Sequence, residues 1–231
     1  MAYWDPTLLS ALAQHYQVVT VDLPGTGYSS PAKGPVSLQW WADETAGFIA
    51  ALGLQKPVVL GWGLGGDVAL DLAETHPGIL GSLVLVDTPV HGGGAGPVPA
   101  AEAKALAAPD LPIAALANIW FGSTHAATRA AWLQAMITGP PDALTAAARQ
   151  AQINVASEVA RSSALVARLG RVTVPSFIVY GGSDPMVPVS DGEVLAGGLA
   201  HSRALALSGG DYGAVFEYAA TFVSALEQFT G

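Results

Sequence analysis

The residues whose types and spacing point to chemistry begin where a β-branched run meets glycine, at Val58-Val59-Leu60-Gly61-Trp62-Gly63-Leu64-Gly65-Gly66. Glycine is needed where backbone turns sharply or packs closely, and a strand running through such residues into a helix fits two opposed chemistries. Gly61-x-Gly63-x-x-Gly66 satisfies a dinucleotide-binding fingerprint. Asp87, at the end of the following strand and 21 residues beyond Gly66, stands where a ribose-binding carboxylate would. Gly61-x-Gly63-x-Gly65 also reads as a nucleophile elbow whose central serine has become glycine. The motif alone does not choose between them.

Acyl transfer through such an elbow needs a nucleophile, an imidazole to take its proton and a carboxylate to orient the imidazole. Carboxylates are available at Asp184, in Gly181-Gly182-Ser183-Asp184-Pro185, and at Asp87. Asp67 lies four positions after Gly63, one helical turn along rather than at the tip, and its placement reads better as a favourable charge in a helix first turn. The histidines are His15, His76, His91, His125 and His201; His76 precedes Pro77 as at a helix end, His91 and His125 border or occupy the inserted helical segment where a cleft-facing position is open to them, and each reads better as a surface or packing residue. The chain has no cysteine, which removes disulfides, thiolate metal sites and thiol catalysis together. No metal set is read from the sequence, and no cofactor is expected unless the dinucleotide reading holds.

The elements that must position these groups alternate in the manner of a mostly parallel sheet flanked by helices. Val18–Val21, Pro57–Leu60 and Ser82–Val86 are short apolar runs suited to strands buried on both faces. Leu38–Leu52 and Leu64–Thr75 carry apolar residues at helical spacing, the first stopping at Gly53. From His91 to Gly170 the chain becomes alanine-rich and helical after a Gly/Pro-rich link, with no strand expected before Val172. The sheet is expected to resume with Val174–Tyr180 and Ala204–Leu207, and the chain to close on a helix over Tyr212–Phe229. Residues 1–90 and 171–231 thus read as one α/β core, and 91–170 as an inserted helical cap or lid.

Composition narrows the partners. The chain has 231 residues, 51% of them hydrophobic and 12% charged, about half the charged fraction of an ordinary soluble domain. No apolar run reaches the roughly 18 residues of a membrane span, so a soluble protein without a membrane partner is expected. A net charge of −9, with nine scattered basic side chains, repels phosphate backbones and excludes nucleic acid as an expected partner. No signal-like segment opens the chain, so a cytoplasmic location is expected by default.

The chain also resembles the α/β-hydrolase family at several separated points in the right order. Asp22-Leu23-Pro24-Gly25-Thr26-Gly27-Tyr28-Ser29-Ser30 looks like the loop after that family's fourth strand, and Gly61–Gly66 like the elbow after its fifth. Leu83–Asp87 is similar to the sixth strand, after which the family inserts its cap. Phe177–Pro188 is similar to the seventh strand and acid loop, and Glu217 with Phe222 to the ending beyond the catalytic histidine. The resemblance implies an α/β-hydrolase fold and small apolar esters or related molecules as substrates. It places Gly63 in the nucleophile slot, which is therefore vacant, and Asp184 in the acid slot, with Asp87 as an alternative. It places Tyr212 in the histidine slot, or Asp211 after a slip of one residue. Leu64 supplies one backbone oxyanion donor. The loop carrying the other follows the family's third strand, which is absent, so the chain reads as N-terminally truncated relative to the family.

Removing that strand would leave two edges without partners, so the sheet must re-pair, the gene start is misplaced, or another chain donates a strand; a homo-oligomer fits the last case. Tyr212, in the histidine slot, is expected to hydrogen-bond Asp184. The turn and its helix N-terminus suit a pocket for a small apolar or carboxylate-bearing molecule, and the aromatic residues Trp62, Trp120, Phe121, Trp132 and Met136 read equally as its wall or as filling of the interface between cap and core. The readings left open are a ligand-binding protein without nucleophilic hydrolysis, a non-nucleophilic enzyme of lyase, isomerase or cyclase type, a hydrolase using Asp67 or another residue, and a dinucleotide-binding module.

Overall fold

In the computed structural model, residues 3–90, 112–122, 125–138, 145–162 and 164–231 are described; His91 and the Gly/Pro-rich link lie outside them. Four parallel strands, β1 (Val58–Trp62), β2 (Ser82–Val86), β3 (Ser176–Gly181) and β4 (Ser202–Leu207), stand in the order β1-β2-β3-β4. Because successive side chains point to opposite faces, the apolar strands feed two cores. Val84, Val86, Phe177 and Val179 face one layer, and Leu83, Leu85 and Ile178 face the other. Burial on both sides explains why β2 is apolar from Leu83 to Val86 rather than alternating.

The second face is covered by α2 (Leu38–Ala51) and α3 (Leu64–Thr75), with Leu195 of α8 (Val189–Gly198). Ser37 caps α2, its hydroxyl accepting from Trp40 N–H at 3.1 Å, and Gly53 follows the helix with φ of 64°. The first face is covered by α1 (Pro6–Leu12), α9 (Ala214–Glu217) and α10 (Ala219–Thr230). Asp5 caps α1 by accepting from Thr7 and Leu8 N–H. The single closing helix expected from Tyr212 is two helices, interrupted at Tyr218 (φ −118°, ψ 37°).

Between β2 and β3 the described residues form α4 (Ile113–Trp120), α5 (Ala126–Thr138), α6 (Ala146–Ala160) and α7 (Ala164–Arg168). Leu116, Trp120, Phe121 and Trp132 of this insertion join the same apolar cluster as α1, α10 and the sheet. Helices α4 and α5 therefore contribute to the main core. Among the described residues no helix is long and apolar enough to cross a membrane.

The expectation of a strand at Val18–Val21 is corrected. The segment joins no ladder, and Val18, Val19 and Val21 are 36%, 42% and 41% exposed. A cavity of about 350 Å³ separates it from the outer strand β1, lined by Gln17–Val21 on one side and Pro57–Leu60 on the other. A β-branched run becomes a strand only when a neighbouring backbone lies one ladder spacing away, about 4.8 Å. Here the neighbouring position is open, so propensity alone does not produce pairing.

Candidate active site

The turn from β1 into α3 has the form of a nucleophile elbow. Gly63 has φ 55° and ψ −124°, a conformation that L side chains rarely adopt, and precedes the first residue of α3. Its N–H donates to the Val86 carbonyl (2.9 Å) and its own carbonyl accepts from Gly66 N–H (2.8 Å). A Cβ on Gly61 would overlap the Gly65 carbonyl and sit 2.6 Å from Gly66 N, so glycine lets strand and helix approach closely there. Leu64 heads α3 with no side-chain cap; its N–H has no acceptor within the helix and is directed out of the helix N-terminus.

The space a nucleophile side chain would need is taken by Tyr212. A Cβ on Gly63 would overlap the Tyr212 hydroxyl and lie 3.0 Å from Cζ. The phenol is fixed from behind by Trp62, whose ring centroid is 4.8 Å away and whose Nε1–H donates to the Tyr212 carbonyl at 2.9 Å. Tyr212 rather than Asp211 therefore faces the elbow. The Asp211 carboxylate turns the other way and accepts from Gly122 N–H at 2.8 Å.

The hydroxyl does not make the expected bond to Asp184. Asp184 Oδ1 accepts from Met186 N–H (2.7 Å), and its Oδ2, buried, has no hydrogen-bond partner. Asp87 is fully buried with φ of 40°; its Oδ1 accepts from Gly181 N–H (2.8 Å) and its Oδ2 also has no partner. Burial, above all, disfavours the ionised forms; the charge of Asp184 adds to this at Asp87, and the charges of Asp211 and Glu217 add to it at both. Asp184 is pushed up to about 7 and Asp87 is raised well above the ordinary carboxylate range. Burial raises the Tyr212 phenol too, reinforced by the charges of Asp184, Asp87 and Asp67, so it is a neutral donor throughout the working pH range.

Asp67 departs from its first-turn reading. It is fully buried, neither carboxylate oxygen has a hydrogen-bond partner, and burial raises its pKa strongly. Desolvating a carboxylate costs several kcal/mol, against roughly 0.3–1 kcal/mol gained at a helix N-terminus. The neutral acid is therefore the stable form, and a neutral, enclosed carboxyl is neither a dipole partner nor a nucleophile. The dinucleotide reading fails for a related reason: Asp87, enclosed and bonded to Gly181 N–H, cannot reach a ribose.

Beside the elbow lies a cleft of about 280 Å³, lined among others by Trp4, Asp22, Leu23, Gly61, Trp62 and Gln152. Of the aromatic wall expected from the sequence, only Trp62 borders it. Trp120, Phe121 and Trp132 are buried in the core and Met136 packs against them, since large apolar rings without a polar surface to meet are better filled around than exposed. Sequence reading missed a second grouping, His125 with Asp211 and Glu217. His125 is far from Asp211 and Glu217 in the chain, and no spacing rule joins the three.

Contact between Tyr212 and Gly63 should appear as energetic coupling. Gly63→Ala should lower unfolding free energy by about 1–3 kcal/mol from overpacking, with backbone strain added. Adding Tyr212→Phe should recover part of that loss, because the hydroxyl is the overlapping group. A double-mutant cycle in urea should give a coupling of at least about 1 kcal/mol; simple additivity would show that the phenol does not occupy this space.

Comparison with known proteins agrees with this architecture. A family model described as the alpha/beta hydrolase fold matches residues 1–211. The chain is 32% identical to a pimeloyl-[acyl-carrier protein] methyl ester esterase of Aeromonas hydrophila over 97% of its own length and 89% of the relative's. It is 28% identical to the protein of the same name from Xanthomonas axonopodis pv. citri, over 96% and 87% of the two chains. Among solved structures, an alpha/beta hydrolase fold protein from Chitinophaga pinensis superimposes with a TM-score of 0.83 at 23% identity, over 99% and 84% of the two chains. A hydrolase from Pseudomonas aeruginosa does so with a TM-score of 0.75 at 26% identity, over 97% and 83%. The turn at Gly63, the parallel sheet behind it and a family match over most of the sequence have one explanation: this chain belongs to the α/β-hydrolase fold family.

Proposed function

We propose that this protein binds a small apolar molecule carrying an ester or carboxyl group in the cleft beside the elbow, without forming an acyl-enzyme. The observation that carries this reading is the Tyr212 hydroxyl standing where the first atom of a nucleophile side chain would be. A ligand oxygen at the turn would meet the Leu64 N–H at the N-terminus of α3 and the neutral phenol, two donors and no nucleophile. The apolar part would lie against Trp4, Leu23 and Trp62. The ligand class draws on the relatives, which are named as methyl ester esterases.

The purified protein should turn over p-nitrophenyl esters no faster than buffer and should gain no mass on treatment with a serine-reactive phosphonate. Titration with a medium-chain methyl ester should quench the fluorescence of Trp62. A covalent acyl or phosphonyl adduct at any side chain would overturn the proposal.

One observation favours a second reading, a non-nucleophilic acid–base enzyme. A carboxyl pushed up to about 7 and a permanently protonated phenol are both set around the elbow, a pairing suited to moving protons near neutral pH. Phosphonate-insensitive turnover with a midpoint near pH 7, abolished in Asp184→Asn, would replace the first reading with this one.

A further inference from the structure

Away from the elbow tip, His125 just ahead of α5, Asp211 in the loop before α9 and Glu217 at the end of α9 converge. Each offers one ligand-type atom, and these atoms all lie within 4.8 Å of one another. The carboxylates are already oriented. One oxygen of Asp211 accepts from Gly122 N–H (2.8 Å), and Oε2 of Glu217 accepts from Asp211 N–H (3.0 Å). Such bonds are the kind that aim metal ligands, and they leave one oxygen of each carboxylate available.

Two further observations point to a ligand. The Glu217 side chain is 0% exposed, yet its Oε1 makes no hydrogen bond; its polar neighbour is His125 Nδ1, at 3.2 Å. Two donors each about 2.1 Å from a shared ion stand roughly 3.0–3.4 Å apart in octahedral or tetrahedral geometry. His125 is the basic side chain beside these carboxylates. Among the described residues no lysine or arginine pairs with Asp211 or Glu217, and the charges of both bear on Asp184 and Asp87.

We propose that His125, Asp211 and Glu217 form a three-ligand site for a first-row divalent cation of the zinc type, fastening the α4–α5 turn to the loop that carries Tyr212. One imidazole with two carboxylates suits zinc or its neighbours better than magnesium or calcium, which take oxygen ligands. Water completes the coordination through the partly exposed side of His125. Since Asp211 directly precedes Tyr212, the ion holds in place the loop from which the phenol reaches Gly63. The inference is independent of what the cleft binds.

The test is equilibrium dialysis of the EDTA-stripped chain against Zn²⁺, with Mg²⁺ and Ca²⁺ in parallel, and Co²⁺ as an absorbing substitute. One Zn²⁺ per chain is expected, with a visible Co²⁺ band. His125→Ala should lower zinc affinity at least about tenfold and remove the band, while His15→Ala and His201→Ala should change neither. Absence of stoichiometric zinc, or equal affinity in a folded His125→Ala protein, would overturn the proposal and leave a metal-free His125–Glu217 pair. Should His125→Ala not fold, the Co²⁺ band of the unsubstituted chain decides alone, its absence being the negative result.

Discussion

Gly63→Ser combined with Tyr212→His should hydrolyse p-nitrophenyl esters about 10³-fold faster than buffer, while Gly63→Ser alone should not. The single substitution places a side chain into the Tyr212 hydroxyl, so it is destabilised and its oxygen has no base. The pair removes the overlap, puts an imidazole on the element already aimed at the turn, and leaves Asp184 to orient it. The expected size follows from two general magnitudes. Losing a serine or histidine from a complete triad costs about 10⁶ in rate, and lacking one oxyanion donor costs about 10²–10³. Activity should rise as pH passes through 7, since an imidazolium is stabilised only by ionised Asp184. Stopped assays and phosphonate labelling read both effects. A folded double variant with neither turnover nor labelling would show that Gly63, Tyr212 and Asp184 do not form a triad frame.

Mild acid should stabilise this protein. Asp184 has a folded pKa of about 7 against an unfolded value of about 3.9, so the folded state holds more protons between those limits. A carboxyl raised by folding favours the native state at low pH, and this contribution is lost as pH rises through 7. The whole span from about pH 4 to 7 corresponds to something on the order of 4 kcal/mol, and the part above pH 5 to about 3 kcal/mol, or roughly 5–10 °C in Tm for a chain of this size. Asp87 and Asp67, raised by burial, act with the same sign. Tm measured from pH 5 to pH 8 should therefore fall. Asp184→Asn, whose amide oxygen can still accept from Met186 N–H, should flatten the slope and raise Tm at pH 8. A Tm that rises over this interval would mean that the carboxyls are ionised in the native state.

Much of the scaffold was legible because it rests on local rules. Ser82–Val86 and Leu64–Thr75 begin and end where apolar periodicity and glycine placed them. Val18–Val21 was misread because β propensity describes what a segment tolerates, while pairing depends on a neighbour elsewhere in the chain. The aromatic residues of the insertion were left between pocket and interface for a similar reason: core and pocket walls share composition, and only packing shows that Trp132 is enclosed while Trp62 borders the cleft. Asp67 reads from the sequence as a favourable charge in a helix first turn, and depth of burial reverses that.

By itself the sequence determined the order of most elements and the glycine turn, because residue identity and local backbone preference need no distant partner. Only the tertiary structure decided that the phenol fills the nucleophile's place, that burial raises Asp87 and Asp184, and that His125 meets Asp211 and Glu217. Each of these depends on which side chains are brought together and how far they are removed from water, and those are properties of the packed chain.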